Sequence, residues 1–270
     1  MSNKEWLHAR GQEITPTASD KSQLQSTLDV VSAKLLQEVS IAQIRPCGSA
    51  AKGTMLRGRN EGDLVLLMRE APTPQTLERF RHELSRLPQV ESAEILYKAV
   101  ATKFKNGISI DVLPAAQDGL TEPGGSIPSK HRHAADGPNH VRWFQQAGYE
   151  TGAPEIVRLT KSWRNEHGLS KLSSFGLEVL TVNVLRELGS GSLDHRFHAV
   201  LERLASGEFA VNDPMRSSNW INQLAPHQVQ RVMQAAKESL AYMQKGQMSH
   251  AFAGTSYPGS VRGLSGTPLA

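Results

Sequence analysis

Glu61 and Asp63 stand two positions apart at the head of the apolar run Leu64-Val65-Leu66-Leu67-Met68. On a β-strand, residues i and i+2 project to one face, so this spacing predicts two carboxylates side by side. Such a pair repels itself and resists joint ionisation unless a cation lies between its members. Mg²⁺ suits them when a triphosphate supplies further oxygens, because it binds through one or two carboxylates plus substrate phosphates. A third acid, Asp111, interrupts the apolar run Ile108–Leu113. Alternation allows it to face solvent on a half-exposed strand; turned to a core and ionised, it would be costly without a partner. If that strand lies beside the Leu64 strand, Asp111 joins Glu61 and Asp63. Three acids can then hold two metal ions about 3.5–4 Å apart, an arrangement that clamps the attacking and leaving oxygens of an in-line displacement.

The surrounding sequence predicts the elements that position these acids. Leu24, Leu28, Val31 and Leu35 fall on one helical face between Ser22 and Val39. Ile41–Cys47 reads as a short strand entering a Gly48-Ser49 loop, and the Leu64–Met68 run as a buried central strand. Pro74–Leu87 reads as a helix with Thr73 as N-cap and Pro74 at its first position, where a missing N–H costs nothing. Val90–Phe104 and Ile108–Leu113 complete a strand-rich half of about four or five strands. Residues 117–138 hold four glycines and three prolines, which marks a connection. Beyond it, 138–148, 153–168, 173–188, 194–206 and 223–244 are helical in pattern, with a turn-rich loop from Asn212 to Asn219. The expected fold is α/β plus α, with a mixed-sheet N-lobe, a helical C-lobe and a binding cleft between them. The expected boundaries are a flexible N-terminus over 1–20, the α/β lobe over 21–137, the helical lobe over 138–247 and a disordered tail over 248–270.

Composition narrows the function classes. No apolar run approaches the ~18–20 residues of a membrane span, and MSNKEWLHARGQEITP carries no apolar signal core, so neither membrane insertion nor secretion is expected. Cys47 is the single cysteine, which rules out an internal disulfide and a cysteine-based zinc cluster. A reducing compartment, cytoplasmic or nuclear, fits this. A net charge of +4 without a long basic run does not announce a polyanion partner. The ten histidines form no HExxH pair, and His131 and His133 fall in the long connection. There is no GxSxG nucleophile signature. Four residues separate Gly48 from Gly53, but Thr54 stands where a Walker A loop needs Lys.

Taken together, GSAAKGT (48–54), LRGRNEGDLVLL (56–67) and SIDVLPA (109–115) resemble the 2′-5′-oligoadenylate synthetase branch of the polymerase-beta-like nucleotidyltransferase superfamily. That superfamily also contains cyclic GMP–AMP synthase and bacterial cyclic-oligonucleotide synthases. EIVRLTKSWRNEHGLSKLSSFGLEVLTVNVL is similar to the family's segment in which an Arg-x-x-Lys-x-Trp helix precedes an aromatic-x-Leu-Glu helix. NHVRWFQQAG and VNDPMRSSNW also sit where related chains have similar segments, so the resemblance covers about residues 22–245. One departure is Glu61-x-Asp63, where oligoadenylate synthetases usually show Asp-x-Asp; the Glu form resembles cyclic GMP–AMP synthase, where it supports catalysis.

The resemblance implies roles. Glu61, Asp63 and Asp111 would be the catalytic acids and the ligands of two Mg²⁺ ions, with Mn²⁺ as a substitute, and Asp111 would help activate the attacking ribose hydroxyl. Gly48 and Ser49 would hold the donor triphosphate through close backbone approach, backbone N–H groups and the hydroxyl. Lys161 would reach the donor phosphates, Ser174 would make a second contact, and Arg158 shares the Lys161 helix face. Lys52 points to phosphate or an acceptor nucleotide, and Phe175 to base stacking. Trp143, Trp163 and Trp220 read as packing residues. The implied reaction joins ATP, or another nucleoside triphosphate, into 2′-5′-linked oligoadenylates with release of diphosphate. The same site serves cyclic di- and trinucleotide synthases, and a non-catalytic interaction module of this fold is a third reading, against which the three acids argue. A double-stranded RNA activator is left open, since Lys34 is the only basic residue between Ser22 and Val39. The cysteines of cyclic GMP–AMP synthase's zinc-bound insertion are absent here. Oligomeric state is not legible.

Overall fold

The computed structural model describes residues 1–37, 41–96, 98–116 and 136–253. The chain opens with two helices that pack on different bodies. In α1 (Asn3–Ile14) the Ser2 hydroxyl accepts from the Glu5 amide while the Glu5 carboxylate accepts from the Ser2 amide, a reciprocal capping box. Thr17 and Asp20 open α2 (Ala18–Leu35) in the same way. Leu24, Leu28, Val31 and Leu35 of α2 cover the sheet, whereas Leu7 and Ile14 of α1 are buried in the helical core. The expected flexible N-terminus is therefore a docked helix of the helical lobe. Arg10 donates to Ser162 Oγ at 3.0 Å and to Glu166 Oε1 at 2.9 Å, and Asn3 donates to the Met243 carbonyl at 2.8 Å. Its polar composition conceals a narrow stripe of Leu7, Gly11 and Ile14.

Five strands, β1 (Ile41–Cys47), β2 (Glu61–Met68), β3 (Val90–Leu96), β4 (Ala99–Phe104) and β5 (Ser109–Ala116), form one sheet in the order β1-β2-β5-β4-β3. β2 and β5 run parallel and the other pairs antiparallel. β2 is covered on both faces, which explains its unbroken apolar run. Leu64, Leu66 and Met68 share a core with α2 and with Leu77, Phe80 and Leu84 of α4 (Pro74–Ser85). Val65 and Leu67 take the opposite face with Cys47 and Ala115, against Val141 of α5 (Gly137–Trp143). Thr73 caps α4 as expected, and the helix ends two residues short of Leu87.

A π-helical turn (Phe144–Gly148) extends α5. The helical lobe continues through α6 (Ala153–Glu166), α7 (Ser174–Leu188), α8 (Leu193–Ser206), α9 (Pro226–Gln244) and α10 (Met248–Phe252). Trp163 is wholly buried and donates to Ser239 Oγ at 2.8 Å. Trp143 packs on the same core, but Trp220 is half-exposed and does not. The loop expected after α8 contains a hairpin, β6 (Val211–Asp213) and β7 (Arg216–Ile221), whose Asp-Pro turn and polar strands masked so short a pairing. The expected disordered tail likewise begins too early. Met248, Ala251 and Phe252 are buried, and Phe252 lies 5.4 Å from Phe197 and 4.8 Å from Trp6, ring to ring. The helical lobe thus takes in α1 and runs to Phe252. His131, His133 and the rest of the tail lie outside the described residues. No described helix is long and apolar enough to cross a membrane.

Candidate active site

The parallel register of β2 and β5 sets Asp63 opposite Asp111 and Glu61 opposite Ser109. All three acids share the alternation of Val65, Leu67 and Ala115, so they occupy the sheet face turned toward the helical lobe. Burial pushes Asp63 up to about 6, and the neighbouring Asp111 charge adds to it. Asp111 is raised too, by burial and then by Glu61. Glu61 stands at the exposed end of β2 with its Oε1 3.8 Å from Arg59 Nη1. Among the described residues no three His, Cys, Asp or Glu side chains converge closely enough to hold a metal, and Glu61 remains at the rim.

The expected Gly-Ser loop is a single helical turn, α3 (Gly48–Ala51). Gly48 has φ +69°, and a Cβ there would fall inside the Asp63 carboxylate, so both backbone and space demand glycine. Asp63 therefore lies directly against the start of α3, which carries Ser49. The preceding Cys47 thiol is pushed up to about 12 by burial and then by Asp63, which makes it unreactive.

Behind α3 lies a buried ion cluster. Glu178 of α7 is wholly buried; its Oε2 receives Lys52, and its Oε1 receives Lys161 at 2.6 Å and Thr54 Oγ1 at 2.7 Å. Lys161 also donates to Thr54 Oγ1 at 2.9 Å. Burial works to raise the Glu178 carboxyl, but Lys161 and then Lys52 outweigh it and hold it down at about 2. Lys52 follows α3, whereas Lys161 and Glu178 belong to α6 and α7, so the cluster ties the lobes together. Lys161, expected on the donor phosphates, and Lys52, expected on phosphate or an acceptor nucleotide, are both committed to this carboxylate. Arg158, expected beside Lys161, donates to the Gly53 carbonyl at 2.6 Å and props the end of the α3 segment.

Ser174 opens α7, and its hydroxyl oxygen accepts from Arg164 Nη1 at 2.9 Å. Phe175 is half-buried, with Lys52 Nζ 4.9 Å from its ring centroid and the His140 ring 4.2 Å away. His140 is held by Asp213 of the hairpin at 3.0 Å. The structure thus gathers Gly48, Ser49, Asp63 and Asp111 at one place, leaves Glu61 at its edge and puts Lys161 in the interior. Sequence reasoning gave no role to Glu178, although it is the acid of the aromatic-x-Leu-Glu segment, nor to Arg164 or His140. Only Glu178 carried a signal, as an acid inside the apolar run LEVL that demands a buried cation.

No protein-family model matches the chain. A curated relative is the cyclic AMP-AMP-AMP synthase of Escherichia coli (strain MS 115-1), 24% identical over an alignment of 171 residues that covers 55% of this chain and 51% of that protein. The match thus spans about half the length of that relative. Among solved structures, E. coli MS115-1 CdnC, determined with ATP and in complex with HORMA-deltaN, superposes with a TM-score of 0.69 at 17% identity, covering 96% of this chain and 99% of that one. Cid1, described by its RNA terminal uridylyl transferase activity, superposes with a TM-score of 0.72 at 13% identity, covering 95% and 99%. Mixed sheet, helical lobe and these superpositions agree: the chain has the bilobal polymerase-beta-like nucleotidyltransferase fold.

Proposed function

We propose that this protein is a template-independent nucleotidyltransferase that joins nucleoside triphosphates, ATP first among them, and releases diphosphate. The observation that carries this reading is the Asp63/Asp111 pair, set side by side against a glycine that admits no side chain. The product favoured is a cyclic oligonucleotide. The similarity to a cyclic AMP-AMP-AMP synthase and the Glu61-x-Asp63 spacing support it. Linear 2′-5′ oligoadenylate, the leading expectation from the LRGR and IDVLPA segments, is the second reading.

The donor set fits a hard divalent cation: all oxygens, two carboxylates raised by burial and then by neighbouring acids, and a third two positions before Asp63 on β2. Asp63 and Asp111, joined by Glu61 turning in from the rim, would hold Mg²⁺ or Mn²⁺. The bound ions supply neutralisation of triphosphate charge and a lowered pKa for the attacking hydroxyl. Ser49 and the backbone N–H groups of α3 bind the donor phosphates, and Phe175 offers its ring to the base. The attacking ribose oxygen bonds to the α-phosphorus as the α–β anhydride bond breaks. Asp111 takes the hydroxyl proton and diphosphate leaves. Lys52, Lys161 and Arg158 act here as posts that set the position of α3 rather than as phosphate ligands. α2 offers few cations to duplex RNA, and Lys34 is paired with Glu83 at 2.5 Å; a protein partner is the trigger favoured in its place.

The test is incubation of purified protein with ATP, GTP, CTP, UTP and Mg²⁺ or Mn²⁺, with product mass and linkage-specific nuclease digestion. A phosphatase-resistant cyclic product is expected. A linear 2′-5′ product bearing a triphosphate end would select the second reading. Absence of diphosphate release under every condition would refute both.

A further inference from the structure

With Lys52 and Lys161 taken up by Glu178, the terminal phosphates of a bound triphosphate need other cations. Two arginines are placed for this. Arg164, in the last turn of α6, is half-buried and has no carboxylate partner among the described residues. Its Nη1 donates to the Leu172 carbonyl at 3.0 Å and to Ser174 Oγ at 2.9 Å, while Nε and Nη2 share Asn165 Oδ1 at 3.1 and 2.8 Å. Arg59, two residues before Glu61, is well exposed, and its ion pair among the described residues is a loose one with the Glu61 carboxylate at 3.8 Å. The segment carrying Arg59 is fixed to the helical lobe: the Arg57 amide donates to the Ile14 carbonyl at 2.8 Å, and Leu56 packs on the helical core. Arg59 thereby comes within electrostatic reach of Arg164. The Arg164 guanidinium is lowered from its ordinary value by burial and then by the Arg59 charge.

A half-buried guanidinium whose hydrogen-bond partners are all neutral, with Glu178 acting on it only through space and a second guanidinium near it, is a charge arrangement completed by an anion. The planar fork of arginine matches phosphate through paired N–H bonds, which the lysine ammonium does not offer. Ser174 Oγ uses a lone pair toward Arg164, so its hydroxyl hydrogen is free to donate to the same anion.

We propose that Arg59 and Arg164, together with the Ser174 hydroxyl, clamp the terminal phosphates of the donor and so hold the leaving diphosphate. The assignment rests on the nucleotidyl-transfer reading and extends it. It gives Arg59 two alternative partners: Glu61 without nucleotide, and phosphate with it. Arrival of the triphosphate then releases Glu61 to turn toward Asp63 and Asp111, so the third acid joins the site only when donor is present.

The experiment compares wild type with Arg59→Gln, Arg164→Gln and Arg164→Lys, each checked for folding by thermal melting. The probes are ATP, AMP and inorganic triphosphate in titration calorimetry, alongside steady-state turnover of ATP. Wild type is expected to bind ATP more tightly than AMP and to lose ATP to inorganic triphosphate. Arg59→Gln, at an exposed position without packing, should raise Kd and KM for ATP about tenfold, equivalent to ~1.4 kcal/mol, and leave AMP binding unchanged. Arg164→Gln should do more, with partial recovery in Arg164→Lys. An ATP-to-AMP preference unaltered in both glutamine variants overturns the clamp. If the variants lose triphosphate binding while wild type forms no product from any nucleotide, the clamp stands and the reaction reading falls. If wild type turns over ATP with a KM indifferent to both arginines, the reverse holds.

Discussion

Two clusters of charge lie one helical turn apart, on either side of α3, and they are built on opposite plans. Around Glu178 the groups close on one another: one carboxylate meets two ammonium groups and a threonine hydroxyl, and all are out of water. Around Asp63 the signs do not balance. Asp63 and Asp111 crowd together, both are pushed up by burial, and Glu61 leans toward an arginine outside. A buried cluster whose hydrogen-bonding groups meet one another acts as scaffold, and here its second ammonium charge also acts on Asp63. A crowded pair of like charges persists only when the fold over-determines it and something from solution completes it. The difference assigns the first cluster to positioning and the second to chemistry, although a sequence reading places the lysines of the first and the acids of the second in one site.

The contrast breaks most sharply at Asp111. Asp111→Asn should reduce diphosphate release by on the order of 10³-fold, while the melting temperature holds or rises as repulsion is relieved. Undiminished release in a folded variant would remove the acid pair from the chemistry. At the other cluster, Glu178→Gln leaves two buried ammonium groups without their anion and should destabilise the fold by ~3–5 kcal/mol in urea unfolding. The same group sets an acid limit. Its carboxyl is held at about 2 against an ordinary 4.5, so its contribution is fully present above 4.5 and is lost as pH falls from 4.5 through 2. Stability measured across that window should fall in wild type more steeply than in Glu178→Gln, and equal slopes would show that the cluster is not ionised as described. Between the clusters, Gly48→Ala forces a left-handed residue to carry a side chain, at ~1–2 kcal/mol, and drives it into Asp63. Turnover should fall with it; an active, stable alanine variant would mean that α3 is not held against the acids. The smallest effect belongs to Trp220, expected from sequence to pack but half-exposed in the hairpin. Trp220→Ser should change unfolding free energy by no more than ~0.5 kcal/mol.

Much of the sheet lobe was legible because its signals are local. An unbroken apolar run marks a strand covered on both faces, a Thr-Pro pair marks a helix start, and a two-residue spacing marks a shared face, so β1, β2 and the start of α4 lie where expected. The pairing of Asp63 with Asp111 needed one further assumption, that the two strands are neighbours. What escaped depends on partners distant in sequence. The polar α1 becomes a core helix through the surface made by α6, α8 and α10. Lys161 looks like a free cation on a helix face until Glu178 and Thr54 arrive beside it. Arg164 gains significance only from Ser174, ten residues on, and from Arg59 in the other lobe.

The placement of α1 has a mechanical consequence. Because α1 belongs to the helical lobe and α2 to the sheet lobe, the polypeptide passes from one lobe to the other within residues 15–17, and the Arg57 amide ties the segment before β2 to the Ile14 carbonyl at the same place. A joint this short, with a hydrogen bond beside it, leaves the two lobes little room to slide past one another. The buried Lys52–Glu178 pair and the Arg158 bond to the Gly53 carbonyl hold the same seam further along, so the face of β2 and β5 is kept in register with the start of α7.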